Sequence, residues 1–192
     1  VKFLDISDGL SNNSITTIYQ DKDGYMWFGT YDGLNRYDGY TFKVFRNEIN
    51  NEKSLSNNTV YSLEGDSRNR IWVGGNKGAS VYDKSKALFH SVQYKEKTNS
   101  TDVVLKNVVH QIKAVTKDLV LLATQNSGLI VFENGDFTGK TVPIAKLKKA
   151  FNYDALAIQK DKKGSFCWVY VRDLGICKYD YRSNKMSLVT PL

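Results

Sequence analysis

A chain of 192 residues with 41% hydrophobic and 12% aromatic residues, two prolines and fourteen glycines can bury a sizeable core, and is neither collagen-like nor disordered. Its formal net charge of +7 allows attraction to nucleic acid, anionic membranes or acidic sugars, but the basic residues are scattered apart from Lys140, Lys146, Lys148 and Lys149, which read as a solvated surface. No apolar run approaches the roughly 20 residues of a membrane helix, and the absence of CxxC and HxxxH spacings leaves no metal site.

The chain opens on Val1 without a basic-then-apolar leader, so its natural start is expected upstream. Val1 to Ile6 reads as a short strand. Four short segments follow: Ile15 to Gln20, Tyr25 to Thr30, Leu34 to Tyr37 and Thr41 to Phe45. They are separated by Asp21 to Gly24, Asp32-Gly33 and Asp38-Gly39, sequences that turn the backbone at low cost. Four strands with tight turns make an antiparallel meander.

The same plan then returns. Leu10-Ser11-Asn12-Asn13 recurs as Leu55-Ser56-Asn57-Asn58, Trp27-Phe28-Gly29 as Trp72-Val73-Gly74, Gly33 as Gly78 and Tyr37-Asp38 as Tyr82-Asp83, each 45 residues on. The strands of this second unit are Val60 to Glu64, Arg70 to Gly74, Ala79 to Tyr82 and Leu88 to Gln93, and Asn69 takes the place of Gly24 as the residue next most tolerant, after glycine, of a left-handed turn. A third, degenerate unit has Leu121 at the Trp position and Ala123-Thr124 for Gly29-Thr30. The fourth recovers the pattern with Cys167-Trp168-Val169, Gly175 and Tyr179-Asp180. The Trp-equivalent positions 27, 72, 121 and 168 are spaced by 45, 49 and 47 residues. Ile144 to Phe151 is the one stretch that suggests a short helical turn. Cys167 and Cys177 share a hairpin; a turn centred on Asp173-Leu174 sets Cys177 opposite Tyr170, so no disulfide is implied.

A sheet of four short strands cannot bury both faces alone, so units of this period must stack on one another. The recurring Trp fills the gap between neighbours, Gly29 and Gly74 allow close approach, and the remaining glycines serve turns. Radial stacking of such meanders is a β-propeller. The fold class expected is therefore all-β: a β-propeller fragment of about four four-stranded antiparallel blades, part of a larger propeller. Residues 9–53, 54–102, 103–150 and 151–192 are the blades, with 1–8 as the outer strand of an adjoining blade.

Gly9 to Ile15, followed by Gln20 to Thr30 and Asp32 to Gly39, resembles the two-component regulator propeller repeat. That resemblance implies the sensor region of a hybrid two-component histidine kinase and response regulator, common in polysaccharide-degrading gut bacteria, and makes the larger propeller a seven-bladed one. It implies a periplasmic location, an oligosaccharide ligand (the positive charge allows an acidic one), control of polysaccharide-utilisation genes, and no cofactor. It further implies a homodimer through the full-length parent and a downstream membrane span, with no nucleic acid contacted by this segment. His90 and His110, in strand-like contexts, are not read as phosphoacceptors. The alternatives are a propeller enzyme, lyase or glycosidase, and a protein-interaction scaffold. A glycosidase needs two converging carboxylates, and a WD40-type scaffold lacks its Gly-His and Trp-Asp signature here.

Ligands of propellers meet loops at one mouth. The loops between second and third strands carry Tyr31, Asp32, Asn76, Lys77, Gln125, Asn126, Arg172 and Asp173, which differ from copy to copy and offer the amides, charges and aromatic face that sugars require. The inter-blade set, Asn12-Asn13, Asn57-Asn58, Asn107 and Asn152-Tyr153, recurs in place and reads as turn or capping chemistry. No residue is singled out as catalytic.

Overall fold

The computed structural model describes residues 3–95, 101–145, 147 and 152–190. The first blade comprises β1 (Ile15–Gln20), β2 (Met26–Thr30), β3 (Gly33–Tyr37) and β4 (Phe42–Phe45). The second has β5 (Val60–Gly65), β6 (Ile71–Gly75), β7 (Gly78–Asp83) and β8 (Leu88–Ser91). A short pair, β9 (Gln93–Lys95) and β10 (Asp102–Val104), precedes the third blade: β11 (Val109–Thr116), β12 (Leu119–Thr124), β13 (Gly128–Glu133) and β14 (Thr138–Thr141). The fourth has β15 (Ala155–Lys160), β16 (Phe166–Val171), β17 (Gly175–Asp180) and β18 (Lys185–Thr190). Each blade is an antiparallel meander, and β1, β5, β11 and β15 lie side by side as the inner strands.

The degenerate third copy keeps the register of the others. Ile15 pairs with Thr30, Val60 with Gly75, Val109 with Thr124 and Ala155 with Val171, and every inner strand shifts register directly after that pair. Polar residues near this irregularity tie one inner strand to the next. Thr16 donates to the Val60 carbonyl at 2.5 Å, Ser62 accepts from the Ile112 amide at 2.9 Å, and Gln111 accepts from the Ile158 amide at 2.6 Å.

Three apolar cores lie between consecutive blades. Trp27 points from the first blade onto Tyr82 of the second, Trp72 from the second onto Phe132 of the third, and both indoles are 0% exposed. Leu121 does the same work from the third blade. Gly29 is needed because a Cβ there would lie 2.6 Å from Val60, and Gly74 because one would lie 2.6 Å from Val109. Asn69 has φ 58°, the left-handed conformation expected of a residue replacing Gly24.

Each indole is also held by a carboxylate. The Trp27 Nε1–H donates to Asp21 at 2.9 Å and the Trp72 Nε1–H to Asp66 at 3.0 Å, while the second oxygen of each aspartate accepts two amides of its own turn. These carboxylates are buried and require a cation. Asp21 receives Lys84 of the second blade at 2.8 Å, and Asp66 receives its own Arg70 at 2.6 Å.

The structure departs from the sequence reading in four places. Among the described residues of the opening segment, Phe3 to Asp5 form no strand and Ile6–Asp8 form a 3-10 turn. Asp5 and Asp8 cap that turn reciprocally, which holds the chain out of an extended conformation. The outer strand of the second blade ends at Ser91 rather than Gln93. The chain there crosses to the third sheet, where β9 pairs parallel with β14 and β10 closes a hairpin onto β9. Burial of Val92, Tyr94 and Leu105 in the core between the second and third blades anchors this excursion. The third sheet therefore has six strands in the order β10-β9-β14-β13-β12-β11. Finally, Cys177 stands opposite Val169 rather than Tyr170, because the turn spans Arg172 to Leu174. Both cysteines are buried and free, and burial pushes each thiol up to about 11. The helical turn over 144–151 falls mostly outside the described residues, as do Lys146, Lys148 and Lys149.

Burial opposes ionisation of Asp66, but the hydrogen bonds from Trp72 and Arg70 outweigh it and hold its pKa below the ordinary carboxylate value. A carboxyl with a depressed folded-state pKa stabilises above the unfolded pKa and loses that contribution as pH falls through the folded value. Asp66→Asn is expected to cost about 3 kcal/mol at neutral pH, since Arg70 is left without its partner. The same variant should show a weaker fall in stability from about pH 5 to pH 2 than the parent, measured by urea unfolding at several pH values. Parallel pH profiles for the two proteins would refute this assignment.

Candidate functional site

The four turns between second and third strands all lie on one rim, because the inner strands run in the same direction and each turn closes next to the start of one. Each turn is clamped by backbone bonds to the connectors between blades. The Asn76 amide donates to Thr59, Gln125 to Val108 and Arg172 to Asp154, while Gly33 donates to Asn58 and Gly78 to Asn107 of the following connector. Gly78 has φ 91° and a Cβ there would collide with the Leu105 carbonyl, so the clamp itself demands glycine.

Of the inter-blade asparagines, Asn12, Asn13, Asn57, Asn58 and Asn107 are consumed by this scaffold. Asn12 and Asn57 each accept an amide two residues ahead, from Ser14 at 2.7 Å and Thr59 at 3.0 Å. Asn13 accepts from Ile6 and Asn58 from Asn47, and Asn107 donates to Gln125 and Ser127. The preceding serines are read by buried side chains of the third strand: Ser11 by Asn35 and Ser56 by Ser80, at 2.8 and 2.9 Å. These positions recur because they set the connector.

The variable turn residues divide into three groups. Tyr31 is exposed and packs edge-on to Tyr61, and Asp32 pairs with Arg46 at 2.9 Å on the surface. Asn76 and Lys77 are exposed on the second blade, where Lys77 lines a cavity of about 580 Å³. Asn126, Arg172 and Asp173 come together in a cavity of about 410 Å³ between the third and fourth blades, and Gln125 remains outside it. That cavity is completed by Asn152, Tyr153, Asp154, Leu147 and Leu174.

Asp154 organises the smaller cavity and was not legible in the sequence. One of its oxygens accepts the Asn126 amide at 2.7 Å and the other faces the Arg172 guanidinium at 3.6 Å. The only signal for it was its place directly after Asn152-Tyr153. Tyr153 is structural: its buried hydroxyl donates to Val142 and accepts from the Leu129 amide, and burial raises its pKa. His110, on an inner strand, has its pKa lowered by burial and by Arg172, with Asp154 opposing. Among the described residues no cluster of His, Cys, Asp or Glu has the arrangement of a metal centre. No helix among them is long and apolar enough to cross a membrane.

The family model for the two-component regulator propeller matches residues 9–32 and 54–77, which lie in the first two blades. A histidine kinase, P4, of Formosa agariphila is 52% identical over 48 residues, which are 25% of this chain and 4% of that protein. The extracellular domain of a hybrid two-component system of B. thetaiotaomicron superposes over the whole chain with a TM-score of 0.74 at 20% identity. An ancestral GH74 enzyme matches over 92% of the chain with a TM-score of 0.62 at 11% identity, a likeness of fold alone. The chain spans 27% of the B. thetaiotaomicron domain and 24% of the GH74 enzyme.

Asp154→Ala should free the Asn126 amide and leave Arg172 without a carboxylate, lowering stability by about 1–2 kcal/mol. Hydrogen exchange would report the change as faster exchange at Asn126, with the amides of the first two blades unchanged. Unaltered exchange at Asn126 would remove Asp154 from its organising role.

Proposed function

We propose that this chain is part of the signal-input propeller of a hybrid two-component sensor kinase, placed on the periplasmic side of the inner membrane. It takes up an oligosaccharide at the rim of the second-to-third-strand turns and controls genes for polysaccharide use. The observation that carries this reading is the division between repeated and variable residues. Asp21, Asp66, Trp27 and Trp72 at repeating positions are used up in building blades, whereas four of the eight residues that differ between copies, Lys77, Asn126, Arg172 and Asp173, line cavities on one rim. Repeats matched to a sensor family, with relatives described as a histidine kinase and as an extracellular domain of a two-component system, supply the biological setting.

A sensor of this kind binds without turnover, and ligand acts by preferring one of two states of a dimer built by the full-length parent. Within the smaller cavity both oxygens of Asp154 are engaged, by Asn126 and Arg172, which leaves Asp173 without a free carboxylate partner among the lining residues. That favours recognition over glycoside hydrolysis, which needs two working carboxylates. Calorimetry against a panel of glycan fragments should find a binder whose heat ends at saturation. Continuous heat with product release would instead establish an enzyme.

The chain also fits inside a larger propeller. Phe166, Trp168 and Tyr170 of β16, with Ile176 of β17, face away from the third blade and are partly or largely exposed. Trp168 holds the strand position that is fully buried at Trp27 and Trp72. A following blade of the parent protein covers this face. Extending the chain by its downstream residues should shift Trp168 emission to the blue and reduce its quenching by acrylamide, judged against a Trp168→Phe control. Unchanged emission would mean that the face stays open.

A further inference from the structure

The cavity of about 580 Å³ lies on the same rim as the candidate turns, bounded by the connector between the first two blades, the β6–β7 turn and the residues that follow β10. Its floor is apolar, formed by the buried Leu55, Ala79 and Leu105. Its wall holds two exposed lysines, Lys77 and Lys106, and one carboxylate, Glu52.

The charges in this cavity are uncompensated. Several other cations are engaged: Lys84 by Asp21 and Asp23, Arg70 by Asp66, Lys113 by Glu64 and Arg172 by Asp154. Among the described residues, Lys77 and Lys106 have no ion pair or hydrogen bond, and Glu52 pairs with neither. Two free ammonium groups over one carboxylate, set in a concavity with a low-dielectric floor, give a positive potential that concentrates anions. The backbone around them is fixed. Gly78 is clamped to Asn107, and Leu105 donates to Val92, so the segments carrying Lys77 and Lys106 are held at a set separation. An apolar floor suits the C–H face of a sugar ring, and the polar wall suits its hydroxyls and a charged substituent.

We propose that this cavity binds an anionic sugar unit, carboxylate- or sulfate-bearing, within the oligosaccharide. Lys77 and Lys106 hold the charge and Glu52 accepts ring hydroxyls. The assignment rests on the oligosaccharide reading above and adds to it the charge of the ligand and the place where that charge is read. It also ties binding to the β9–β10 excursion, since Leu105 and Lys106 continue directly from β10, which through β9 is paired onto the edge of the third blade.

The test uses matched probes: tetragalacturonate against its methyl ester, and a heparin-derived tetrasaccharide against its desulfated form. At roughly 50 mM salt the acidic member of one pair should bind about tenfold more tightly than its neutral counterpart, and the advantage should shrink at roughly 300 mM. Which pair responds tells carboxylate from sulfate. Lys77→Gln with Lys106→Gln should abolish the advantage without lowering the melting temperature, as both side chains are exposed. Lys77→Arg with Lys106→Arg should retain it, which separates charge from fold damage. Equal binding of acidic and neutral probes would overturn the proposal and leave the oligosaccharide reading standing, as would acid-selective binding that survives the double Gln substitution. Binding of none of the four probes would overturn this site, and failure of the whole glycan panel would remove the sensor reading as well.

Discussion

The hydrogen bond between a buried aspartate and the indole of the second strand is the constraint on which the first two blades depend. At Asp66 one carboxylate takes two turn amides, the Trp72 indole and the Arg70 guanidinium. One side chain thus closes the first turn, fixes the rotation of the Trp that fills the inter-blade core, and neutralises its own charge. At Asp21 the cation is Lys84 from the neighbouring blade, so there the same arrangement also fastens one blade to the next. A buried carboxylate without such partners would be strongly destabilising, and a buried indole N–H without an acceptor would forfeit a hydrogen bond. Each residue therefore makes the other tolerable.

The third blade has given up this pair. Leu121 stands at the Trp position, and the buried Val115 replaces the aspartate six residues before it, so donor and acceptor are lost together. The interface persists because Leu121 and Leu129 still fill it from this side and Tyr153 crosses from the fourth blade to cap Leu129 and Val142. The third sheet is also the one that gains two strands from outside. The blade without the carboxylate–indole lock is the blade clasped by β9 and β10, and the added pairing supplies backbone hydrogen bonds at an edge that would otherwise be open.

The regular parts of this architecture were written in the sequence because they are local. A turn of Asp-Lys-Asp-Gly or Asp-Ser-Arg-Asn, an aromatic strand and a glycine at close contact recur at fixed spacing, and the left-handed φ of Asn69 follows from its alignment with Gly24. The missed features depend on residues far apart in the chain. Parallel pairing of Gln93 to Lys95 with Thr138 to Lys140 has no signature within either segment. Asp154 looks like an ordinary connector residue until Asn126 and Arg172 are folded against it. Of the eight turn residues chosen for their variation, three share one cavity and Lys77 lines another, because the cavities are shaped as much by connector length as by the turns.

The two ends of the stack differ in a way that bears on how further blades would join. Gly29 and Gly74 let the next inner strand approach to the point where a single Cβ would clash. Register places Ala123 at this position in the third blade and Tyr170 in the fourth, against Gln111 and Ala157 respectively. The series Gly, Gly, Ala, Tyr runs from tight contact to a bulky ring that is 39% exposed. A neighbour of the fourth blade cannot pack with the geometry used by the first three interfaces. It must either recede near Tyr170 or present a hollow to receive the ring, as the Trp168 and Phe166 pair beside it also requires. Any blade packed on the fourth face would therefore have to differ in shape from the repeats that precede it, even though the strand order and turns of its own blade are regular.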